Sequence, residues 1–93
     1  TMGQRKHMIT DISDAFITLP GGAGTLEEFF EIWVGHYLKF HTKPVVILDP
    51  FEVYAPLHKL IVHLEEEKFI KPGMREIIRW TTNVQDALKA CGA

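Results

Sequence analysis

The densest chemistry in the sequence lies in nine residues, Pro20-Gly21-Gly22-Ala23-Gly24-Thr25-Leu26-Glu27-Glu28. Three glycines in four positions let the backbone turn sharply and approach a ligand without a Cβ in the way. The periodic apolar positions that begin at Leu26 announce a helix, so the turn sits at a helix N-terminus. The first N–H groups of a helix have no intrahelical partner, and with the helix dipole they favour an anion, most often a phosphate. A purely structural strand-to-helix turn uses glycine for the same backbone reasons, and the local pattern leaves both readings open. It does not match the common nucleotide fingerprints. No lysine follows the last glycine as in a P-loop, and Glu27 stands where G-x-G-x-x-G would need its third glycine.

Glu28 has two readings. With Thr25 it completes T-x-x-E, the capping box in which each side chain bonds the other residue's backbone N–H. Alternatively, it is a carboxylate at the lip of an anion site. It would repel a bare phosphate there, but it could steady an oxocarbenium-like sugar centre or activate a water against it. Glu27 lies about 100° farther round the helix and cannot point the same way; a favourable position in an acidic first turn accounts for it without function. Arg5 and Lys6 are adjacent on a first helix expected over about residues 2–13. Arginine can grip phosphate or carboxylate bidentately, and solvated surface charges are the alternative. His7, His36, His41, His58 and His63 show no i, i+4 pairing and no accompanying cysteines, so no metal site is expected. Cys91 is the single cysteine, which rules out an intrachain disulfide and suggests an intracellular protein. Aromatic residues Phe29, Phe30, Trp33 and Tyr37 suit core and interface better than a base-stacking platform.

The elements that would position these residues alternate. Ala15 to Leu19 is a short apolar run expected to be a buried strand. Thr25 to about Phe40 carries Leu26, Phe29, Phe30, Trp33, Tyr37 and Leu38 at helical spacing, with Ile32 and Val34 adding apolar surface that suits packing against another subunit. Val45-Val46-Ile47-Leu48 reads as a central parallel strand ended by Asp49-Pro50. A helix over about 53–68 follows, with Leu57, Leu60, Ile61 and Leu64 on one face and Glu65-Glu66-Glu67 solvated. Pro72-Gly73 then breaks the chain before a short helix over about 73–78. Residues 78–82 form a last strand, and Asn83 caps a final helix. This alternation implies an α/β fold, a parallel sheet with helices on its faces. Three strands are few against the usual five or six or so of such sheets, so residues 1–93 read as one domain that either lacks its N-terminal half or completes its sheet and core by association. The composition is that of a globular chain, 46% hydrophobic and 24% charged with net charge −2. It gives no indication of disorder, a membrane span, an export signal or a nucleic-acid stripe.

Arg5-Lys6 followed by P-G-G-x-G-T-x-x-E resembles the paired signature of the LOG (Lonely Guy) family of cytokinin riboside 5′-monophosphate phosphoribohydrolases, also described as lysine decarboxylase-like. Trp33, His41-x-Lys43-Pro44-Val45 and Phe69-Ile70 fit the same resemblance, which covers most of the chain. It implies a Rossmann-like fold working as a homodimer and hydrolysis of the N-glycosidic bond of a nucleoside 5′-monophosphate to free base and ribose 5-phosphate; from the lone cysteine, the expected location is cytoplasmic. A non-catalytic nucleotide-binding module of the same fold is the alternative. By the matched positions Arg5 and Glu28 form the catalytic pair. Lys6, Gly21, Gly22, Ala23, Gly24, Thr25 and Glu27 bind substrate, with no metal or organic cofactor. Family members carry an earlier half with a glycine-rich turn of its own. A decarboxylase would normally require pyridoxal phosphate and a Schiff-base lysine in a far longer chain, and nothing in the sequence supports one.

Overall fold

Four successive apolar residues, three of them β-branched, suit a strand buried on both faces. Val45–Leu48 forms that strand, β2, with all four side chains buried. In the computed structural model, which describes residues 14–92, β2 is the middle of a three-stranded parallel sheet between β1 (Phe16–Thr18) and β3 (Ile78–Thr81). Phe16 pairs with Val45, and Val45 in turn with Ile78, so the three strands start level. Helices fill the connections: α1 (Ala23–Tyr37), α2 (Ala55–Glu66) and α3 (Pro72–Glu76), with α4 (Val84–Ala90) after β3. This is the α/β, Rossmann-like arrangement that the alternation implies. The helix expected over about 2–13 lies outside the described residues.

Alternation along β2 divides the core. Val45 and Ile47 face Phe29 and Trp33 of α1, Tyr54, Ile61 of α2 and Ile78. Val46 and Leu48 face the other way, onto Ala87 of α4 with Ala90 and Cys91 beside it. Burial of aliphatic and aromatic side chains on this scale, about 1.5–3 kcal/mol each, dominates the stability of the segment. Trp33 also ties α1 to α3, its indole N–H donating to the Met74 carbonyl at 2.7 Å.

Four expectations are corrected. The first strand is not buried throughout: Phe16 is, but Ile17 is 42% exposed. Its side points to the sheet face that α4 covers over β2 and β3, and β1 has a neighbour on one side alone among the described residues. The helix expected from Thr25 begins at Ala23, because Gly22 in extended conformation already serves as its N-cap. Of the expected α2 stripe, Ile61 is buried and Leu57 packs against the core, whereas Leu60 at the stripe's edge is exposed. Glu65 is not solvated; it pairs with the Arg75 guanidinium across the α2–α3 junction. That hydrogen bond, with the attraction of the same carboxylate, raises the Arg75 pKa above its ordinary value.

The remaining helix boundaries follow local chemistry. Asn83 caps α4 through its side-chain oxygen, which accepts the Asp86 N–H at 2.8 Å, as its residue type predicts. Both α1 and α2 end on a lysine with positive φ, Lys39 at 68° and Lys68 at 66°. In each case the lysine N–H and the following phenylalanine N–H turn back onto the last helical turn. Lys39 donates to His36 and Phe40 to Gly35, and Lys68 donates to Glu65 and Phe69 to Leu64. These are Schellman stops with lysine where glycine is the usual residue.

Candidate functional site

The glycine-rich turn lies at the carboxyl ends of the parallel strands, the edge where open α/β sheets bind ligands. β1 delivers the chain there, and α1 carries it away. Gly22, at φ −95° and ψ −151°, is the N-cap; its carbonyl accepts the Leu26 N–H at 3.1 Å and no side chain caps the helix. The N–H groups at the start of α1 therefore face outward beside exposed Gly21, Gly22, Ala23 and Gly24. This is the geometry of an anion seat. Gly21 has a further reason to be glycine. A Cβ built there would lie 2.9 Å from the Thr25 Cβ and nearer still to its hydroxyl. Thr25 occupies the space that a larger residue at 21 would need.

The early start of α1 removes the capping reading of Glu28. Thr25 is the third helical residue and not the cap, so there is no capping box and no acidic residue in the first turn. Glu28 stands in the second turn. It lines a groove of about 360 Å³ along β1, together with Ile17, Thr18, Leu19, Thr25 and Ile32. Its carboxylate is thus placed beside the glycine-rich turn and released from capping. Glu27 lies about 100° away on the exposed flank of α1, outside the first turn where the dipole explanation would hold. Arg5 and Lys6 lie outside the described residues.

The turn is braced from the neighbouring element by residues whose role the sequence reading did not identify. Asp49, at the end of β2, is buried, and its two carboxylate oxygens accept the Val53 N–H at 2.9 Å and the Tyr54 N–H at 2.7 Å. Tyr54, 5% exposed, reaches across to donate its hydroxyl to the Leu19 carbonyl at 2.8 Å, with the Gly21 carbonyl in longer contact at 3.5 Å. The available signal was an aspartate ending a strand, with a helix starting a few residues on. Beyond Tyr54 lies a smaller cleft, about 180 Å³, where the His58 and Trp80 rings stack 4.0 Å apart.

The histidine of the His41-x-Lys43-Pro44 segment is structural. Its Nε2–H donates to the Ile32 carbonyl at 2.9 Å and its Nδ1 accepts the Lys43 N–H at 3.1 Å, which fixes the tautomer. His36 similarly donates from Nδ1 to the Lys43 carbonyl at 2.8 Å. The two rings meet edge to face and fasten the end of α1 to the start of β2. No group of three or more histidine, cysteine, aspartate or glutamate side chains suited to a metal occurs among the described residues. None of the described helices is long and apolar enough to cross a membrane.

Comparison with known proteins adds an independent line. Residues 1–91 match the model of a family described as "Possible lysine decarboxylase". The chain is 43% identical over 91 residues to a cytokinin riboside 5′-monophosphate phosphoribohydrolase of Mycobacterium tuberculosis, covering 98% of this chain and 49% of that protein. A protein of the same name from Rhodococcoides fascians is 43% identical over 89 residues, 96% of this chain and 45% of the relative. One from Arabidopsis thaliana is 43% identical over 88 residues, 95% and 41% respectively. The chain therefore spans about half the length of the curated relatives it matches.

Proposed function

Since this chain belongs to the LOG family, the one whose model is described as "Possible lysine decarboxylase", we propose that the full-length protein hydrolyses the N-glycosidic bond of a nucleoside 5′-monophosphate. The products are free base and ribose 5-phosphate. The relatives' names specify a cytokinin riboside 5′-monophosphate, and we take an N6-substituted adenine nucleotide as the first substrate to try. The observation that carries the reading is the position of Glu28, in the second turn of α1 and in the groove beside a turn built to seat an anion.

In this reading the 5′-phosphate rests on the N–H groups from Gly22 to Thr25, with Gly21 allowing close approach and Lys6 adding charge. The ribose then lies toward Glu28. As the bond from C1′ to the base nitrogen lengthens, positive charge grows on C1′ and its ring oxygen. A carboxylate facing that centre stabilises it and takes a proton from the incoming water. The new bond joins the water oxygen to C1′, and the electron pair of the broken bond leaves with the base, which takes up a proton. Arg5 would orient the ribose phosphate and Glu28. We assign Glu27 only to the rim of the substrate site.

The test is base release over a panel of nucleoside monophosphates with full-length protein. Glu28→Gln and Arg5→Ala are each expected to abolish release while leaving the circular dichroism spectrum and melting temperature near those of the wild type. Undiminished release from the Glu28→Gln protein would overturn the assignment.

Three structural proposals accompany it. The segment is the C-terminal half of its domain, in keeping with its half-length match to the relatives and the open side of β1. The protein works as a homodimer through the outer face of α1, where Phe30, Val34, Tyr37 and Leu38 are exposed on adjoining turns. It is cytoplasmic, in keeping with its unpaired Cys91.

A further inference from the structure

We infer that Tyr54 is a positioning residue for the phosphate turn, set in place by Asp49, and that this pair couples the end of β2 to the anion seat. The inference rests on the function proposed above.

The chain of contacts is continuous. Asp49 ends the central strand, whose backbone is fixed by pairing on both sides, with its own N–H donating to the Thr81 carbonyl at 2.8 Å. Its carboxylate holds the N–H groups of Val53 and Tyr54. Two charge-assisted bonds to consecutive N–H groups fix the peptide plane from which the Tyr54 side chain leaves. The ring is buried in the core with Phe29 and Ile61, which fixes its direction. Only its hydroxyl reaches out, to the carbonyl of Leu19, with Gly21 also near. Those two carbonyls flank Pro20 and set the orientation of the peptides that open the turn. Gly21 and Gly22 have little conformational restraint of their own, so an external hold on this backbone fixes the direction of the N–H groups at the start of α1. Preorganised donors stabilise charge without reorganising when the ligand arrives. Without the hydroxyl, the turn must order itself on binding.

The experiment compares wild type, Tyr54→Phe and Asp49→Asn in the full-length protein. It uses ribose 5-phosphate binding by calorimetry, kinetics of base release, and melting temperature. Tyr54→Phe keeps the buried ring and is expected to fold. A lost hydrogen bond to an anion-holding backbone predicts a rise of about tenfold in KM for the monophosphate and a similar weakening of ribose 5-phosphate binding. At saturating monophosphate, kcat is expected to be unchanged. Asp49→Asn retains one acceptor and is expected to fall between the two. A merely structural role would lower the melting temperature and reduce kcat without a selective rise in KM; that result, or an unchanged KM in Tyr54→Phe, overturns the inference while leaving the proposed function standing. If wild type binds ribose 5-phosphate but releases no base, the proposed function fails. The binding ratio then supports or overturns the role of Tyr54 by itself. Wild-type protein that neither binds nor releases overturns both.

Discussion

Glu28 owes its position to a residue without a side chain. Gly22 takes the extended conformation of an N-cap, so the helix starts two residues before the T-x-x-E pattern and carries Glu28 one turn farther in. The sequence contains a capping box, and the fold does not use it. With no side chain capping at Gly22, the first N–H groups of the helix lack a capping partner, and Glu28 lines a groove instead of serving as a cap. Gly21 is the next point of constraint. Its Cα hydrogen lies against Thr25, and a methyl group there must displace the threonine or the turn. Gly21→Ala is expected to cost about 1–3 kcal/mol by urea denaturation, the usual penalty of overpacking, and to weaken ribose 5-phosphate binding with it. Gly22 and Gly24 have open space at the same position, so alanine there should cost less stability. At the far end of the chain, burial raises the Cys91 thiol above its ordinary value of 9.0. The folded state therefore holds the thiol proton more tightly than the unfolded one. Stability is unaffected at neutral pH and falls as pH rises past the unfolded value. Iodoacetamide labelling of native protein should lag behind that of urea-unfolded protein at pH 8.5, and equal rates would contradict the shift.

The helices show which element boundaries can be read from residue types. Asn83 before Val84, the apolar run of β2 and the Pro72-Gly73 break carry their own local reasons, and the structure follows them closely. The two lysine stops do not. Lys39 and Lys68 occupy the left-handed position that favours glycine. No residue-type rule marks them. Lys39→Gly and Lys68→Gly are each expected to stabilise the protein by about 1 kcal/mol in urea denaturation, the penalty of a Cβ in that conformation. No change, or a loss, would show that the lysine side chains compensate the strain. The phenylalanine after each lysine, Phe40 and Phe69, is 81% and 78% exposed. The apolar contact that often closes a Schellman stop is thus loose here. The bracing of the turn by Tyr54 was equally hidden from the sequence, because its contacts lie 33 and 35 residues away. Local pattern supplies strands, helices and the glycine-rich turn, whereas the hold on that turn exists only once β2 and β1 lie side by side.

At the scale of the whole molecule, the sheet is protected unevenly. One face carries α1, α2 and α3 over Val45 and Ile47, while the other carries α4 over Val46 and Leu48 and leaves Ile17 of the first strand, and Leu19 just after it, exposed. The groove that holds Glu28 runs along that same first strand. Whatever completes the sheet beside β1 also closes the pocket, so fold completion and site completion are one event in the proposed half-domain reading. The outer face of α1 is a separate matter. Phe30, Val34, Tyr37 and Leu38 fall within about 100° of the helix circumference and form one apolar strip on the side away from Glu28. Contiguous apolar surface of this kind marks an interface when it recurs along a helix. Replacing Val34 and Leu38 together by glutamate puts charge into the strip and leaves in place Phe30, whose ring packs on Phe29 and Trp33, so the fold should survive. Analytical ultracentrifugation of the full-length protein should then show the wild type at twice the mass of the double variant at micromolar concentration. Equal masses would remove α1 as the dimer face. A monomeric variant that kept full base release would further show that each subunit builds its site alone, with Glu28 and the glycine-rich turn sufficient from one chain.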